Sequence, residues 1–350
     1  MGKETIVLPG PRPDRGERGT TKEAGGPPEG KGPVGARVFA DSPAPSPVFR
    51  GRGLLLALLL GLAVGGASEG DASHRQVSWR WEARDRTATV HLPSGAPGPG
   101  LLPLVVFLHG AGGTGVLGRE QTGLGALADE EGFIVAFPDG TGARPDRLTW
   151  NAWYCCGYAL DRRVDDVGAL DALLDLLERT FPVDPRRIYL AGFSNGAMMA
   201  YRYALERPGR VAALGVVAGA LRGGDRKARE ALSVCIIHGT KDGVVPPDGK
   251  SFARPQRGRP PGEAVESAAR FWAAANGNDP TPHKDRRGQD TILRWTGGRM
   301  GAEVELHLID GAGHAWPGGN PRKYRYCDEP PKSPEASRVL WRFFSRHQRP

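Results

Sequence analysis

The sequence predicts an α/β fold in which a mostly parallel central sheet carries helices on both faces. Three observations lead there. Short continuous apolar runs such as Leu104-Val105-Val106-Phe107-Leu108 have the length and composition of strands buried on both sides. Between such runs lie stretches with helical spacing, clearest in Val167–Leu177, where Leu170, Leu173, Leu174 and Leu177 share a face. The third is Gly192-Phe193-Ser194-Asn195-Gly196, which joins the strand-like run Ile188-Tyr189-Leu190-Ala191 to the helix-like run Ala197-Met198-Met199-Ala200-Tyr201. Strands alternating with helices imply parallel pairing through crossovers.

The elements follow in chain order. Met1–Gly53 is rich in Gly, Pro, Arg and Glu and has almost no apolar periodicity, so it is expected to be a disordered or mis-annotated extension. Leu54–Val64 is an apolar run about half the roughly 20 residues a membrane span needs. Arg50 and Arg52 precede it, and Gly65-Gly66-Ala67 closes it with small residues. Residues 54–67 therefore read as a secretory signal and cleavage site, with translation expected to begin nearer Val48 and no stable membrane anchor. From Ser68 to Pro350 the chain is long enough for one substantial core.

Within that part, Gln76–Trp81 and Thr87–Leu92 read as an opening pair of strands about the charged turn Glu82–Arg86. Leu104–Leu108, Phe133–Phe137, Ile188–Ala191, Ala212–Val217, Val234–Ile237 and Glu303–Ile309 are the further strand candidates. Helices are expected at Val167–Leu177, Gly262–Ala275 and Ser337–His347. The formal charge of +8 comes from scattered Arg residues with no basic helix or aromatic-interleaved stripe, which argues against a nucleic-acid partner.

A strand, a sharp turn with a serine at its apex and a helix make a nucleophile elbow. Glycines two residues either side of the serine relieve clashes that a Cβ would cause there. In a chain with 51 Gly the pattern needs partners before it means chemistry. Three segments supply them. His109-Gly110-Ala111-Gly112-Gly113 follows the strand Leu104–Leu108, and its glycines let the backbone approach a substrate carbonyl. The N–H groups of Ala111 and Asn195 are the candidate oxyanion donors, while His109 shapes the loop rather than reacts. His238-Gly239-Thr240-Lys241-Asp242 follows Val234–Ile237 and offers Asp242 to orient an imidazole, with Asp248 as the weaker choice. Gly311-Ala312-Gly313-His314 follows the strand ending at Ile309, and His314 alone lies on a glycine-rich loop after both Ser194 and Asp242. Ser194, Asp242 and His314 stand in the chain order of an α/β-hydrolase triad.

With those residues in place the chain resembles the secreted polyhydroxybutyrate depolymerase/feruloyl esterase family. The resemblance rests on Leu108-His109-Gly110, Trp150-Asn151, Cys155-Cys156-Gly157, Val164-Asp165-Asp166-Val167-Gly168, Gly192–Gly196, His238-Gly239-Thr240-Lys241-Asp242 and Gly313-His314-Ala315-Trp316-Pro317-Gly318. It implies an α/β-hydrolase fold and a serine esterase acting on hydroxyalkanoate oligomers or on feruloyl or acetyl esters of plant polysaccharide. Asp165 and Asp166, at the start of the helix Val167–Leu177, read as capping residues. Asn278 stands where relatives often carry a cysteine, the matching cysteine near Thr296–Gly301 is also absent, and Trp153 replaces a glycine of the usual Trp-Asn-Ala-Gly.

Trp150, Trp153 and Trp316 are candidates for an apolar wall around the acyl group, with core packing the alternative. Cys235 lies within an apolar strand and reads as a buried thiol. Cys327 could pair with Cys155 or Cys156, or those two with each other, and the spacing suggests no zinc site. No metal or organic cofactor is expected. A serine exopeptidase would use the same triad, and a non-catalytic binding protein on this fold would be expected to lose a triad member; none is missing.

Overall fold

Six parallel strands form the middle of the sheet, in the order β5 (Ile134–Pro138), β4 (Leu102–Leu108), β8 (Val183–Phe193), β9 (Ala213–Val217), β10 (Ser233–Gly239) and β13 (Val304–Ile309). They belong to a computed structural model that describes residues 6–8, 73–94, 100–222, 226–249, 264–324 and 328–350. The hairpin of β2 (His74–Trp81) and β3 (Arg84–His91) adds antiparallel to β5 at one edge. At the other edge β12 (Asp290–Trp295) and β11 (His283–Arg287) continue antiparallel from β13.

Both faces of this sheet are covered, which is why its central strands read as unbroken apolar runs. Side chains alternate faces along a strand. Leu104, Val106 and Leu108 of β4 join one apolar cluster with α4 (Asp166–Thr180), α5 (Asn195–Glu206) and α6 (Val265–Asn276). Val105 and Phe107 join the other, with α2 (Leu124–Glu131) and α7 (Ala336–Phe344). Together these features are those of an α/β-hydrolase.

The expected strands are all present, most of them longer than their apolar cores. The opening turn is tighter than expected: Trp81 pairs directly with Arg84, leaving only Glu82 and Ala83 to reverse the chain. Strand β11, His-Lys-Asp-Arg-Arg, has no apolar face to reveal it because it is an exposed, charged edge. The short helices α1 (Gly115–Thr122) and α3 (Gly157–Asp161) and the small hairpin β6 (Thr141–Arg144)/β7 (Arg147–Thr149) were likewise not signalled by periodicity. Of residues 1–53 only Ile6–Leu8 are described, as a strand, β1, parallel to β2. The signal-like residues 54–67, Gly262 and Cys327 lie outside the described residues. Among those described, no helix is long and apolar enough to cross a membrane.

Candidate active site

Ser194 follows β8 and stands at the N-cap of α5, with φ 53° and ψ −118°. Few non-glycine residues hold a positive φ, and the surroundings explain how this one is kept. A Cβ on Gly192 would strike the backbone of Gly196, and one on Gly196 would strike the Leu108 carbonyl. The turn therefore closes tightly onto β4 and aims the Ser194 hydroxyl outward.

That hydroxyl lies 3.0 Å from Nε2 of His314. Nδ1 of His314 lies 2.8 Å from Oδ2 of Asp242. With Nδ1–H donating to the carboxylate, Nε2 is free to accept the serine proton. Asp242 is buried, and its other oxygen accepts the backbone N–H groups of Val244 (2.9 Å) and Val245 (2.8 Å). His238 adds a further contact: its Nε2 lies 3.3 Å from Asp242 Oδ2 and 2.8 Å from the Val245 carbonyl. Burial pushes the Asp242 carboxyl up, but hydrogen bonds from His238 and His314 outweigh it and hold the group well below the usual carboxylate range. The carboxylate is thus charged at any pH where the imidazole could serve as a base.

The loop after β4 packs on the elbow; a Cβ at Gly110 would sit 3.4 Å from the Ser194 Cβ. In this loop the N–H of Gly112 donates to Leu148 O (2.7 Å) and that of Gly113 to Gly110 O (3.1 Å), whereas the N–H of Ala111 meets no acceptor among the described residues. Asn195 is the first residue of α5, so its N–H has no carbonyl one turn earlier to bond. Two backbone donors next to the serine are thereby left free.

His109 shapes this loop, as the sequence suggested. Its Nδ1 donates to Gly110 O at 2.8 Å and its Nε2 accepts the Gly140 N–H at 3.0 Å. The bond accepted at Nε2 needs a neutral ring, and burial lowers its pKa to about 4.

Trp150 and Trp316 are not a substrate wall. They are 0% and 1% exposed, and both serve as anchors. The Trp150 indole donates to the His109 carbonyl (3.0 Å), while its backbone N–H and C=O pair with the side chain of Asn195 (2.7 and 3.0 Å). Trp316 sets its ring edge-on to Phe107 and donates to Ser337 Oγ (3.1 Å), pinning the His314 loop to the core. Trp153 is half-buried and bonds Glu206 at the far end of α5 (2.7 Å), about 17 Å of helix rise from the serine turn.

Of the two aspartates before α4, Asp165 caps the helix through the Gly168 N–H (3.0 Å), as expected. Asp166 does not cap. It is fully buried, bonds both terminal nitrogens of Arg86 (2.9 Å each) and accepts the Asn151 N–H (2.8 Å). This pair fixes the loop that carries Trp150, a task no local pattern announced because Arg86 lies on a strand far away in sequence. Cys155 and Cys156 are bridged to each other, and Cys235 is a free, buried thiol.

Such a fold and site define a hydrolase of the α/β class. Residues 86–279 match the family model described as esterase PHB depolymerase, and the chain belongs to that family. It is 32% identical over 255 residues to NocK of Nocardia uniformis subsp. tsuyamanensis, a protein classed as an inferred esterase, covering 67% of this chain and 72% of NocK. Feruloyl esterase B of Piromyces equi is 29% identical over 236 residues, which span 66% of this chain but only 42% of that enzyme. Among solved structures, a thermostable esterase shares the fold with a TM-score of 0.52 at 15% identity, covering 79% of this chain and 63% of that one. The chain is a carboxylic ester hydrolase by family.

Proposed function

We propose that the protein is a secreted serine esterase that works through an acyl-enzyme, with Ser194 as nucleophile, His314 as general base and acid, and Asp242 as its orienting carboxylate. The reading is carried by one observation, the Ser194–His314–Asp242 hydrogen-bonded relay at 3.0 and 2.8 Å. Ser194 Oγ attacks the ester carbonyl as His314 Nε2 takes its proton, and the oxyanion is held by the N–H groups of Asn195 and Ala111. His314 then protonates the leaving alcohol, and water, activated by the same nitrogen, releases the acid. Asp242 stays ionised throughout and balances the imidazolium that forms in each half.

The substrate class is an ester of a hydroxyalkanoate oligomer or of a feruloyl or acetyl group on plant polysaccharide, in keeping with the family and with the relative whose name specifies feruloyl esters. Secretion rests on the signal-like residues 54–67. The test assays purified protein on nitrophenyl esters, methyl ferulate, hydroxybutyrate oligomers and aminoacyl anilides. Ester turnover with a pre-steady-state burst is expected, lost by at least about 1000-fold in Ser194→Ala, with the anilides inert. Full esterase activity in that variant would refute the assignment. N-terminal sequencing of protein from the culture medium tests secretion, with a start near Ser68 expected.

A further inference from the structure

Away from the serine, on the sheet face covered by α7, the register of three strands gathers a set of side chains that the proposed chemistry does not use. Cys235 of β10 pairs across the ladder with Glu305 of β13, and His307 follows two residues later on the same side of β13. One donor atom from each of Cys235, Glu305 and His307 lies within 4.8 Å of the other two, and all three residues are buried. From this geometry we infer a binding site for a thiophilic divalent cation, zinc above all, with Cys235 Sγ, Glu305 Oε2 and His307 Nε2 as its protein ligands.

The donor set is the first argument. A thiolate with an imidazole and one carboxylate oxygen suits zinc, and does not suit magnesium or calcium, which take oxygen. The second argument is the support around the ligands. Nδ1 of His307 donates to Asp290 Oδ2 at 2.8 Å, which fixes the ring and turns Nε2 toward the cluster, the arrangement that accompanies metal-bound histidines. Glu305 Oε1 is held by Arg346 (2.9 Å) and Arg294 (3.3 Å), so that Oε2, 3.3 Å from His307 Nε2, turns toward the cluster. The two guanidinium charges would oppose a cation, but Arg346 also meets Glu303 (2.6 Å) and Arg294 also meets Asp285 (3.8 Å).

Access is the third. A cavity of about 670 Å³ reaches Glu305 and His307 but not Cys235, and cationic side chains, among them Arg287, Arg294, Lys332 and Arg346, share its lining with Asp290 and Glu303. It opens the Glu305–His307 side of the cluster to solvent and leaves room for water as a fourth ligand beside three from the protein.

The site lies under the two strands whose following loops carry Asp242 and His314. A bound ion would cross-link β10 to β13 and touch no reacting atom, so its role would be structural. The pattern is invisible to spacing rules because Cys235 comes from a different strand than Glu305 and His307 and meets them only through sheet register.

Cobalt(II) added to the purified, chelator-treated full chain is the direct probe. A thiolate-to-cobalt charge-transfer band is expected, abolished in Cys235→Ser and retained in Cys327→Ser, which removes the other cysteine outside the vicinal bridge. One equivalent of zinc should displace the cobalt and raise the unfolding midpoint. Asp290→Asn, which leaves every ligand in place, should weaken zinc by about 10- to 100-fold. If Cys235→Ser does not fold, His307→Gln and the wild-type spectrum decide between the outcomes. No charge-transfer band in folded wild type, or a band that survives loss of Cys235 or His307, overturns the inference and leaves His307 as an imidazolium between two carboxylates. None of these readouts depends on esterase turnover, so they stand apart from the fate of the serine assignment.

Discussion

The two halves of the site are secured by different means. On the nucleophile side, Ser194, Asn195 and the Gly110–Gly113 loop rest on Trp150, which in turn rests on the wholly buried Arg86–Asp166 pair. On the acid–base side, Asp242 and His314 ride on loops after β10 and β13 and meet through a short chain of polar contacts, with Trp316 tying the histidine loop to the core. The first half is built into the packing, so damage there should appear first as lost stability. The second is tuned by charge and hydrogen bonds, so damage there should appear first as lost turnover.

The largest effect expected is on turnover. Asp242→Asn keeps the shape of the side chain but removes the charge that fixes the tautomer of His314, and should lower kcat by about 10,000-fold. Its unfolding free energy should change less than that of the Asp166 variant below. A stability loss matching the loss in rate would erase the contrast between the halves.

The converse test is Asp166→Ala. It leaves Arg86, 4% exposed, as an uncompensated buried charge and should cost about 3–5 kcal/mol in urea unfolding. Below the unfolding transition the surviving folded protein should keep kcat within about tenfold. If activity vanishes while stability holds, Asp166 acts in the chemistry and the division is wrong.

A pH titration sharpens the same point on His109. Its folded pKa of about 4 lies below the ordinary 6.5, so the unfolded chain binds the proton more readily. The stability from this group is fully present above pH 6.5 and declines as pH falls toward 4, by up to roughly 3 kcal/mol, provided the ring stays buried. In His109→Gln that slope should flatten, read from urea midpoints between pH 7 and pH 4. An unchanged slope would move the acid sensitivity elsewhere.

How much of this was legible beforehand differs between the halves too. The Ser194, Asp242 and His314 grouping could be read because each member follows an apolar strand, in chain order, on a glycine-rich turn. The sheet could be read because strands buried on both faces have no polar alternation to confuse them. What could not be read was anything made by two distant segments. Arg86 meets Asp166, and Asn195 meets the Trp150 backbone, only after the sheet has formed. Core packing, the alternative left open for the tryptophans, is where Trp150 and Trp316 fall: a residue near a motif can face inward as easily as outward, and the direction is set by packing. The exposed strand β11 was hidden because its charges serve an edge and carry no apolar signal.

The smallest effect expected comes from one atom of the nucleophile half. Trp150→Phe keeps an aromatic ring in a site that is 0% exposed and deletes the indole N–H that holds the His109 carbonyl at 3.0 Å. The bonds from Asn195 go to the Trp150 backbone and survive the change. What is lost is one buried hydrogen bond, with the His109 oxygen left short of a partner, a cost of about 1–3 kcal/mol. Because that oxygen belongs to the loop bearing Ala111, part of the loss should reach the reaction as a fall in kcat of about tenfold with KM little changed. A change in KM alone would mean that the indole shapes substrate binding and that the ring lies nearer the ester than its burial implies. A loss of stability with unchanged kcat would instead show that the oxyanion loop holds its geometry without Trp150, and that the nucleophile half is less dependent on its buried scaffold than its hydrogen bonds indicate.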